Sequence, residues 1–297
     1  MGKTPNKKPL VSVIMPVRNG ATFLKEAVES ILSQTYKKFE LIIVDDNSTD
    51  NSWEIIKQYQ KQHPRKIKLI HLPKKHGAYG AANIGIRDAK GKFIAPMDSD
   101  DVSHPKRLER QVEYLSRNRD TIVVGTWAKI IDQEGNIIGE KVFPTKNDDI
   151  YRQFFAIHPL VHPSCMVRRS RLPKQDKLYQ DRFWINDDYY TFFTLFRFGK
   201  FANIPEYLLD YRIHLNNSSL QNLKQKFFNT VKIRLVAISD LGYKPTLSGI
   251  LKLVGQILLV TLMPESVLLN IYLRIKGIRR ESARNPNFIL RFFLTAQ

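Results

Sequence analysis

Four short apolar segments alternate with helical patterns in the first hundred residues, and this alternation limits the possible fold more than any other feature. Each segment is short, apolar and ended by polar residues or proline, as buried strands are. The segments lie at residues 10–15, 41–44, 67–71 and 92–97. Apolar residues recur at helical spacing between them, at residues 21–34, from about 50 to 62, and at 80–89. Strand–helix–strand units of this kind predict a mostly parallel sheet flanked by helices.

The middle of the chain departs from this alternation. We predict a helix at residues 105–116 and a hairpin whose strands, 122–132 and 136–143, flank Gln133-Glu134-Gly135. A further strand at residues 162–168 and an apolar helix at 187–198 follow. We therefore predict that residues 1–219 form one α/β domain, in which the later elements complete the same sheet.

The net charge of the chain limits the kinds of partner that it could bind. The sequence has 47 Lys and Arg against 28 Asp and Glu, a formal charge of +19. This charge could reflect binding to nucleic acid, to an anionic membrane surface or to a phosphorylated ligand. It could also be a basic surface with no such partner. The basic residues are spread along the chain and no nucleic-acid-binding motif occurs, so we do not expect a nucleic-acid partner.

The cysteine content and the N-terminus bear on the compartment. Cys165 is the single cysteine, which excludes an internal disulfide. The polar N-terminus lacks a signal-peptide pattern, which predicts a cytoplasmic protein.

Residues 220–297 differ from the rest in charge and hydropathy. They contain 12 Lys and Arg against three acidic residues, together with apolar stretches at 247–263 and 267–278. A spanning helix needs about 20 apolar residues, and the first stretch is shorter and carries Lys252. Two interpretations of residues 247–278 remain open: a helical region lying on an anionic membrane surface, or a helical hairpin packed on the body formed by the preceding residues.

Polar residues follow each predicted strand of the first hundred residues, where ligands bind in open α/β sheets. Asp45-Asp46-Asn47-Ser48 follows the second strand and Asp98-Ser99-Asp100-Asp101 the fourth. Asp98 and Asp100 project to one side of an extended segment, and two such carboxylates can hold Mg²⁺ or Mn²⁺ that bridges a nucleotide diphosphate. A solvated turn is the alternative. Asp46 could accept a hydrogen bond from a nucleobase, or its segment could be a turn with Ser48 as a helix cap.

These segments, in this order, resemble family 2 glycosyltransferases of the GT-A fold. The resemblance runs from Val11 to about His214. It rests first on three segments, namely the opening strand, Val44-Asp45-Asp46 and Met97–Asp101. Its later parts are His162-Pro163-Ser164, Asp187-Asp188-Tyr189 and Tyr211-Arg212-Ile213-His214. We therefore expect a GT-A domain, Rossmann-like, with a helical C-terminal extension.

The resemblance implies a nucleotide-sugar donor, with uridine as the commonest base, and a single inverting displacement. Asp188 falls on the general base, with Asp187 as its acidic neighbour. Asp46 would bind the base, Asp98 and Ser99 would lie by the ribose, and Asp100 would ligate Mn²⁺ or Mg²⁺, with Asp98 and His214 as further metal candidates. The remaining donor-binding candidates are Pro16, Arg18, Lys75, Gly77, Asn83 and Arg212.

The sequence also departs from the family pattern. Arg18, Lys75, Ala82 and Asp187 stand where the family often has an aromatic residue, Asn, Arg and Glu. Residues 172–184 lack the usual glycine-rich segment, and no Gln-x-x-Arg-Trp occurs, which argues against processive synthesis. We therefore expect a non-processive, metal-dependent transferase at the inner face of the cell membrane, acting on a cell-envelope glycan or a lipid-linked acceptor. The alternative is an inactive relative that binds a nucleotide sugar or a partner protein.

Overall fold

The computed structural model describes residues 8–183, 186–214, 222–264, 267–268 and 271. Its strands are β1 (Val11–Val17), β2 (Phe39–Asp45), β3 (Ile67–His71), β4 (Phe93–Pro96), β5 (Val102–Ser103), β6 (Thr121–Ile131), β7 (Ile137–Lys141), β8 (Met166–Arg168) and β9 (Lys200–Arg212). Its α-helices are α1 (Leu24–Leu32), α2 (Ser52–Gln62), α3 (Ala78–Asp88), α4 (Arg107–Arg117), α5 (Asn147–Phe154), α6 (Asp187–Leu195), α7 (Leu223–Ser239) and α8 (Leu247–Leu262).

One nine-stranded sheet organises the described residues. Its order is β3-β2-β1-β4-β8-β6-β9-β5, and β7 pairs with β6. The first four strands are parallel, with β1 between β2 and β4. The second half is mixed, because β8 runs antiparallel to both β4 and β6 while β6 and β9 are parallel. The predicted α/β architecture is confirmed, and the later elements do complete the same sheet.

Successive residues of β1 point into two different apolar layers, as the pleat requires. Val13 and Met15 lie in a core shared with α1, α2 and α4, whereas Ile14 lies in the core shared with α3, α6 and α7. Helix α3 comes especially close to the sheet at Gly85. A Cβ added there would lie 2.9 Å from the Val44 side chain and 3.1 Å from that of Ile14. This close approach brings the second half of α3 against β1 and β2.

The two C-terminal helices pack on the domain through one face each. Arg234 of α7 is buried and donates to the Ala156 carbonyl, the Tyr189 hydroxyl and Gln256 of α8. Gly249 of α8 lies against Phe155. The other side of α8 carries exposed apolar residues. No helix within the described residues is long and apolar enough to cross a membrane. Most of the second apolar stretch, 267–278, lies outside the described residues.

Two local expectations were wrong. Residues 162–168 do not form one strand, because His162–Ser164 is a 3₁₀ turn whose second residue is Pro163, and only Met166–Arg168 pairs in the sheet. Ser48 does not cap α2. Its hydroxyl accepts a hydrogen bond from the Asn19 N–H, while Asp50 accepts from Ser52 at the start of the helix. Ser48 thus ties two neighbouring loops together rather than capping its own helix.

Candidate active site

The loops after β1, β2 and β4 meet at one edge of the sheet. Arg18 reaches from the first loop to the second and donates to the carbonyl oxygens of Asp46 and Asn47 at 2.6 and 2.8 Å. Pro16 pairs in register with Val44 near the ends of β1 and β2. The Ser99 side chain lies against the first loop, because a Cβ added at Gly20 would come within 3.1 Å of its Oγ.

Asp46 is buried at this edge and organises the loop that leads into α3. Its two carboxylate oxygens accept hydrogen bonds from the backbone N–H groups of His76 and Gly77, at 2.6 and 2.8 Å. Gly77 has φ of 78°, a left-handed conformation that glycine adopts without strain. Lys75 is exposed on the same loop. Asp46 therefore holds the third loop in place at the position where the resemblance expects the nucleobase, and that role stays a prediction.

Three carboxylates cluster at the end of β4. Asp98, Asp100 and Asp101 each offer an oxygen, and these oxygens lie within 4.8 Å of one another. Burial, followed by the charges of Asp100 and Asp188, raises the pKa of Asp98 to about 7. Burial and the same cluster raise the pKa of Asp101 well above its usual range, and Asp101 Oδ2 is buried without a hydrogen-bond partner among the described residues.

This donor set fits a hard divalent cation. Carboxylate oxygens are the preferred ligands of Mg²⁺ and suit Mn²⁺, and the crowding of three acids with one orphaned oxygen is what such an ion would relieve. The cluster contains Asp98 and Asp100, the ligands expected from the sequence, together with Asp101, which the sequence interpretation left out of the metal set.

Arg212 and His214, at and beyond the end of β9, contact this cluster from the other side. The Arg212 guanidinium is 1% exposed, donates to the carbonyl oxygens of Asp100 and Asp132, and pairs with Glu26. The Arg212 N–H also donates to Asp101 Oδ1 at 2.9 Å. His214 Nε2 lies 2.9 Å from Asp100 Oδ2. Both residues thus brace the acidic loop, and their direct contact with donor or metal stays a prediction.

Two cations behind the cluster were missed by the sequence interpretation. Arg107, at the start of α4, is fully buried and donates to the carbonyl oxygens of Pro96 and Cys165. Burial lowers the pKa of Arg107 to about 10, against the opposing charges of Cys165, Asp101 and Asp98, so it remains a cation at neutral pH. Lys141 of β7 is also buried, and its charge lowers the pKa of Asp98 and Asp101. Nothing in the sequence distinguishes either residue from its exposed basic neighbours.

The two acids that begin α6 have different environments. Asp187 is 1% exposed and its oxygens accept hydrogen bonds from the backbone N–H groups of residues 181, 182 and 183, at 3.0 to 3.1 Å. Asp188 is half-buried, accepts from the Tyr79 hydroxyl at 2.8 Å, and is close enough to Asp98 to raise its pKa. Asp187 therefore shapes the preceding loop, and Asp188 faces the acidic cluster.

The pKa of Asp188 is lowered despite its burial. Burial by itself raises it, but the charges that His158 and His162 carry once they are protonated at low pH, the Tyr79 hydroxyl and a backbone N–H together outweigh burial. The carboxylate is therefore ionised at neutral pH, as a proton acceptor must be.

Asn83 of α3 secures the loop in front of Asp188. Its side chain accepts from the N–H groups of Leu178 and Tyr179 and donates to the Tyr179 carbonyl at 2.8 Å. All of these contacts are within the protein, so Asn83 positions the loop, and a direct donor contact stays a prediction.

A basic cavity of about 1200 Å³ lies at the other edge of the sheet. Its lining includes Pro9 and Lys92, which precede β1 and β4, with Arg168 and Arg171 nearby. The starts of the parallel strands are remote from the acidic loops at their ends, so this cavity takes no part in the candidate site.

Comparisons with known proteins decide the family. The profile of Glycosyl transferase family 2 matches residues 12–204. The chain belongs to this family. An uncharacterized glycosyltransferase of Methanocaldococcus jannaschii is 39% identical to this family 2 member over 231 residues, covering 74% of this chain and 76% of the relative. Putative glycosyltransferase EpsE of Bacillus subtilis is 42% identical over 140 residues, 47% of this chain and 50% of EpsE.

Solved structures confirm the GT-A fold of this glycosyltransferase. S. aureus TarS 1–349 in complex with UDP superposes with a TM-score of 0.61 at 18% identity, covering 77% of this chain and 65% of that one. This chain therefore spans less than two thirds of that structure. Mannosyltransferase PcManGT of Pyrobaculum calidifontis, in complex with GDP-Man and Mn²⁺, superposes with a TM-score of 0.57 at 17% identity, covering 89% and 84%.

Proposed function

We propose that this chain transfers a glycosyl unit from a nucleoside-diphosphate sugar to an acceptor hydroxyl, with inversion, and that Asp188 is the general base. The observation that carries the proposal is the ionised carboxylate of Asp188 facing the Asp98–Asp101 cluster across the ends of the sheet. A donor whose diphosphate binds at the cluster would present its sugar toward Asp188.

Each part of the site has a task in this reaction. Asp46 would accept a hydrogen bond from the nucleobase, and Arg18 and Ser99 line the edge where the nucleoside would bind. Asp98, Asp100 and Asp101 would hold Mg²⁺ or Mn²⁺, which neutralises charge on the leaving diphosphate. Asp188 takes the proton of the attacking hydroxyl, so that the new glycosidic bond forms as the bond to the diphosphate breaks.

The proposed donor base is uridine. TarS binds UDP and UDP-GlcNAc, whereas PcManGT binds GDP-Man with Mn²⁺, and both share the fold of this chain at under 20% identity. A thermal-shift screen of UDP- and GDP-sugars with Mn²⁺ tests the base, because a ligand that binds the native state raises its unfolding temperature. Stabilisation by GDP-sugars alone would replace uridine by guanosine in the proposal.

The proposed chemistry is tested by Asp188→Asn, which keeps the shape of the side chain and removes the proton acceptor. Turnover of the nucleotide sugar, by transfer or hydrolysis, should fall by about 10²-fold or more, while nucleotide binding persists. Asp176→Asn, at an exposed position in the preceding loop, is the matched control and should keep full turnover. If wild-type protein binds nucleotide sugars with Mn²⁺ but never turns them over, the chain is instead the inactive, ligand-binding relative.

We further propose that α8 rests on an anionic membrane at its cytoplasmic face, where a cell-envelope glycan or lipid-linked acceptor reaches Asp188. Leu247, Leu251 and Leu262 are 73, 63 and 75% exposed, and Val254 and Leu258 lie on the same side of the helix. From Leu241 to Pro264 the sequence has Lys244 and Lys252 and no acidic residue. Apolar burial and attraction of lysines to anionic lipid act together at such a surface.

Sedimentation with anionic vesicles tests the membrane proposal. Full-length protein should pellet at low salt, and the double substitution Leu251→Glu with Leu258→Glu should release it while nucleotide binding is unchanged. Lys61→Glu, on the remote helix α2, is the charge control. A wild-type protein that stays in the supernatant, or that dimerises in solution through α8, would contradict a lipid-bound face.

A further inference from the structure

The Tyr79 hydroxyl makes a hydrogen bond that joins α3 to α6. Its Oη donates to Asp188 Oδ1 at 2.8 Å, although the two residues are 109 positions apart in the chain. The ring is held on two sides, by Tyr179 at a centroid distance of 4.9 Å and by His162 at 6.3 Å in an edge-on arrangement. Tyr79 therefore has a fixed orientation with its hydroxyl directed at the proposed base.

The hydroxyl acts only as a donor in this contact. Burial, then the charge and hydrogen bond of Asp188, raise the pKa of Tyr79 well above its usual range. The phenol is therefore protonated at every pH at which the protein would work, and an ionised carboxylate has no proton to donate in return.

The same short segment carries the contacts of the proposed nucleobase site. Asp46 accepts from the N–H groups of His76 and Gly77, and Tyr79 follows two residues later in the first turn of α3. One turn of chain therefore touches both Asp46 and Asp188, and the close packing of Gly85 on the sheet keeps α3 from sliding.

We propose that Tyr79 is a positioning residue that orients Asp188 for proton abstraction, an inference that rests on the proposed function. By occupying Oδ1, the hydroxyl fixes the carboxylate and directs the proton of the acceptor toward Oδ2. A hydrogen bond to the charged form also keeps the base ionised. No sequence pattern indicates this role, because Tyr79 lies in a helical segment far from Asp188 along the chain.

The test is Tyr79→Phe, which keeps the ring and removes the hydroxyl. We expect kcat to fall about tenfold, the size of one charge-assisted hydrogen bond, while the dissociation constant of UDP with Mn²⁺ stays within twofold. The acid limb of the pH–rate profile should move to higher pH, since the base loses a donor that favours its charged form. His158, His162 and Asp98 also act on Asp188, and none of them is changed by this substitution.

Tyr59→Phe is the matched control, because Tyr59 also donates to a carboxylate, that of Glu29 at 2.5 Å, on the remote pair α1 and α2. It should leave kcat and the profile unchanged. If Tyr79 acts through Asp188, adding Tyr79→Phe to Asp188→Asn should slow the enzyme no further. Unchanged kcat in Tyr79→Phe, or full additivity in the double variant, would overturn the inference. Wild-type turnover in Asp188→Asn would instead refute the proposed base itself.

Discussion

Asp187→Asn should destabilise the fold, whereas Asp188→Asn should stop the reaction, although the two residues are neighbours. The Asp187 carboxylate is buried and accepts three backbone N–H groups of residues 181–183, with the Thr191 hydroxyl 3.4 Å from Oδ2. An asparagine has one acceptor oxygen in place of two. Its NH₂ group would face the backbone N–H of Asp181, which bonds to Asp187 Oδ2 in the wild type.

The cost follows from those contacts. One charge-assisted hydrogen bond is lost outright and two become neutral, and hydrogen bonds to charged groups contribute about 1.5–3 kcal/mol against about 0.5–1.5 for neutral ones. The free energy of unfolding should therefore fall by about 3.5–6 kcal/mol. For a domain of this size, each kcal/mol lowers the melting temperature by about 2–4 °C, so a drop of roughly 7–24 °C is expected.

Thermal unfolding and turnover of both variants, measured side by side, separate the two roles. Asp187→Asn should melt early yet keep turnover within about tenfold of wild type at temperatures where it is folded. Asp188→Asn should melt within about 3 °C of wild type, because its carboxylate is half-buried and its main donor, Tyr79, can still bond an amide oxygen. A stable, inactive Asp187→Asn beside an active Asp188→Asn would show that the assignment of the two acids is reversed.

Two further predictions concern metal and pH. Asp100→Ala should abolish Mn²⁺-dependent binding of UDP in calorimetry, because the cluster would lose a candidate ligand. If this variant bound UDP in EDTA with wild-type affinity, the prediction would be wrong. Burial lowers the pKa of His162 to about 4, so the folded protein keeps it neutral while the unfolded chain takes up a proton below pH 6.5. Stability is therefore lost as the pH falls from about 6.5 toward 4, and wild type should lose about 2 kcal/mol more than His162→Asn between pH 7 and pH 5 in urea unfolding. Equal losses in the two proteins would contradict a buried neutral imidazole.

The parallel half of the sheet could be predicted because its signals are local. The third strand, Ile67–His71, and the end of α2 at Gln62 lie where the apolar spacing placed them. The acids after β2 and β4 could also be placed together, since parallel neighbours of one strand end at the same edge. The apolar pattern and the strand order are therefore enough to predict where the site lies on the sheet.

The exact partners of polar residues could not be predicted in the same way. The donor contacts expected of Asn83 and Arg212 stay predictions, but the sequence did not predict that their side chains bond to the backbone of neighbouring loops. A buried polar side chain needs hydrogen-bond partners, which can belong to a ligand or to a neighbouring loop. The sequence alone does not distinguish these two cases. Arg107, Lys141 and Tyr79 were missed for a related reason, because distant elements bring them to the acids.

The charges around the acidic cluster explain why nucleotide binding should depend on metal. Asp98, Asp100 and Asp101 contribute three negative charges when ionised, and Arg107 and Lys141 return two positive ones. The resident cations are not sufficient, because the pKa of Asp98 remains raised to about 7 in their presence, mainly through burial and then Asp100. The raised pKa values of Asp98 and Asp101 mean that these acids retain protons near neutral pH, and a protonated carboxyl offers a diphosphate no positive charge. A divalent ion would displace these protons and bind both the carboxylates and the diphosphate, so donor affinity should rise with Mn²⁺ until the cluster is saturated.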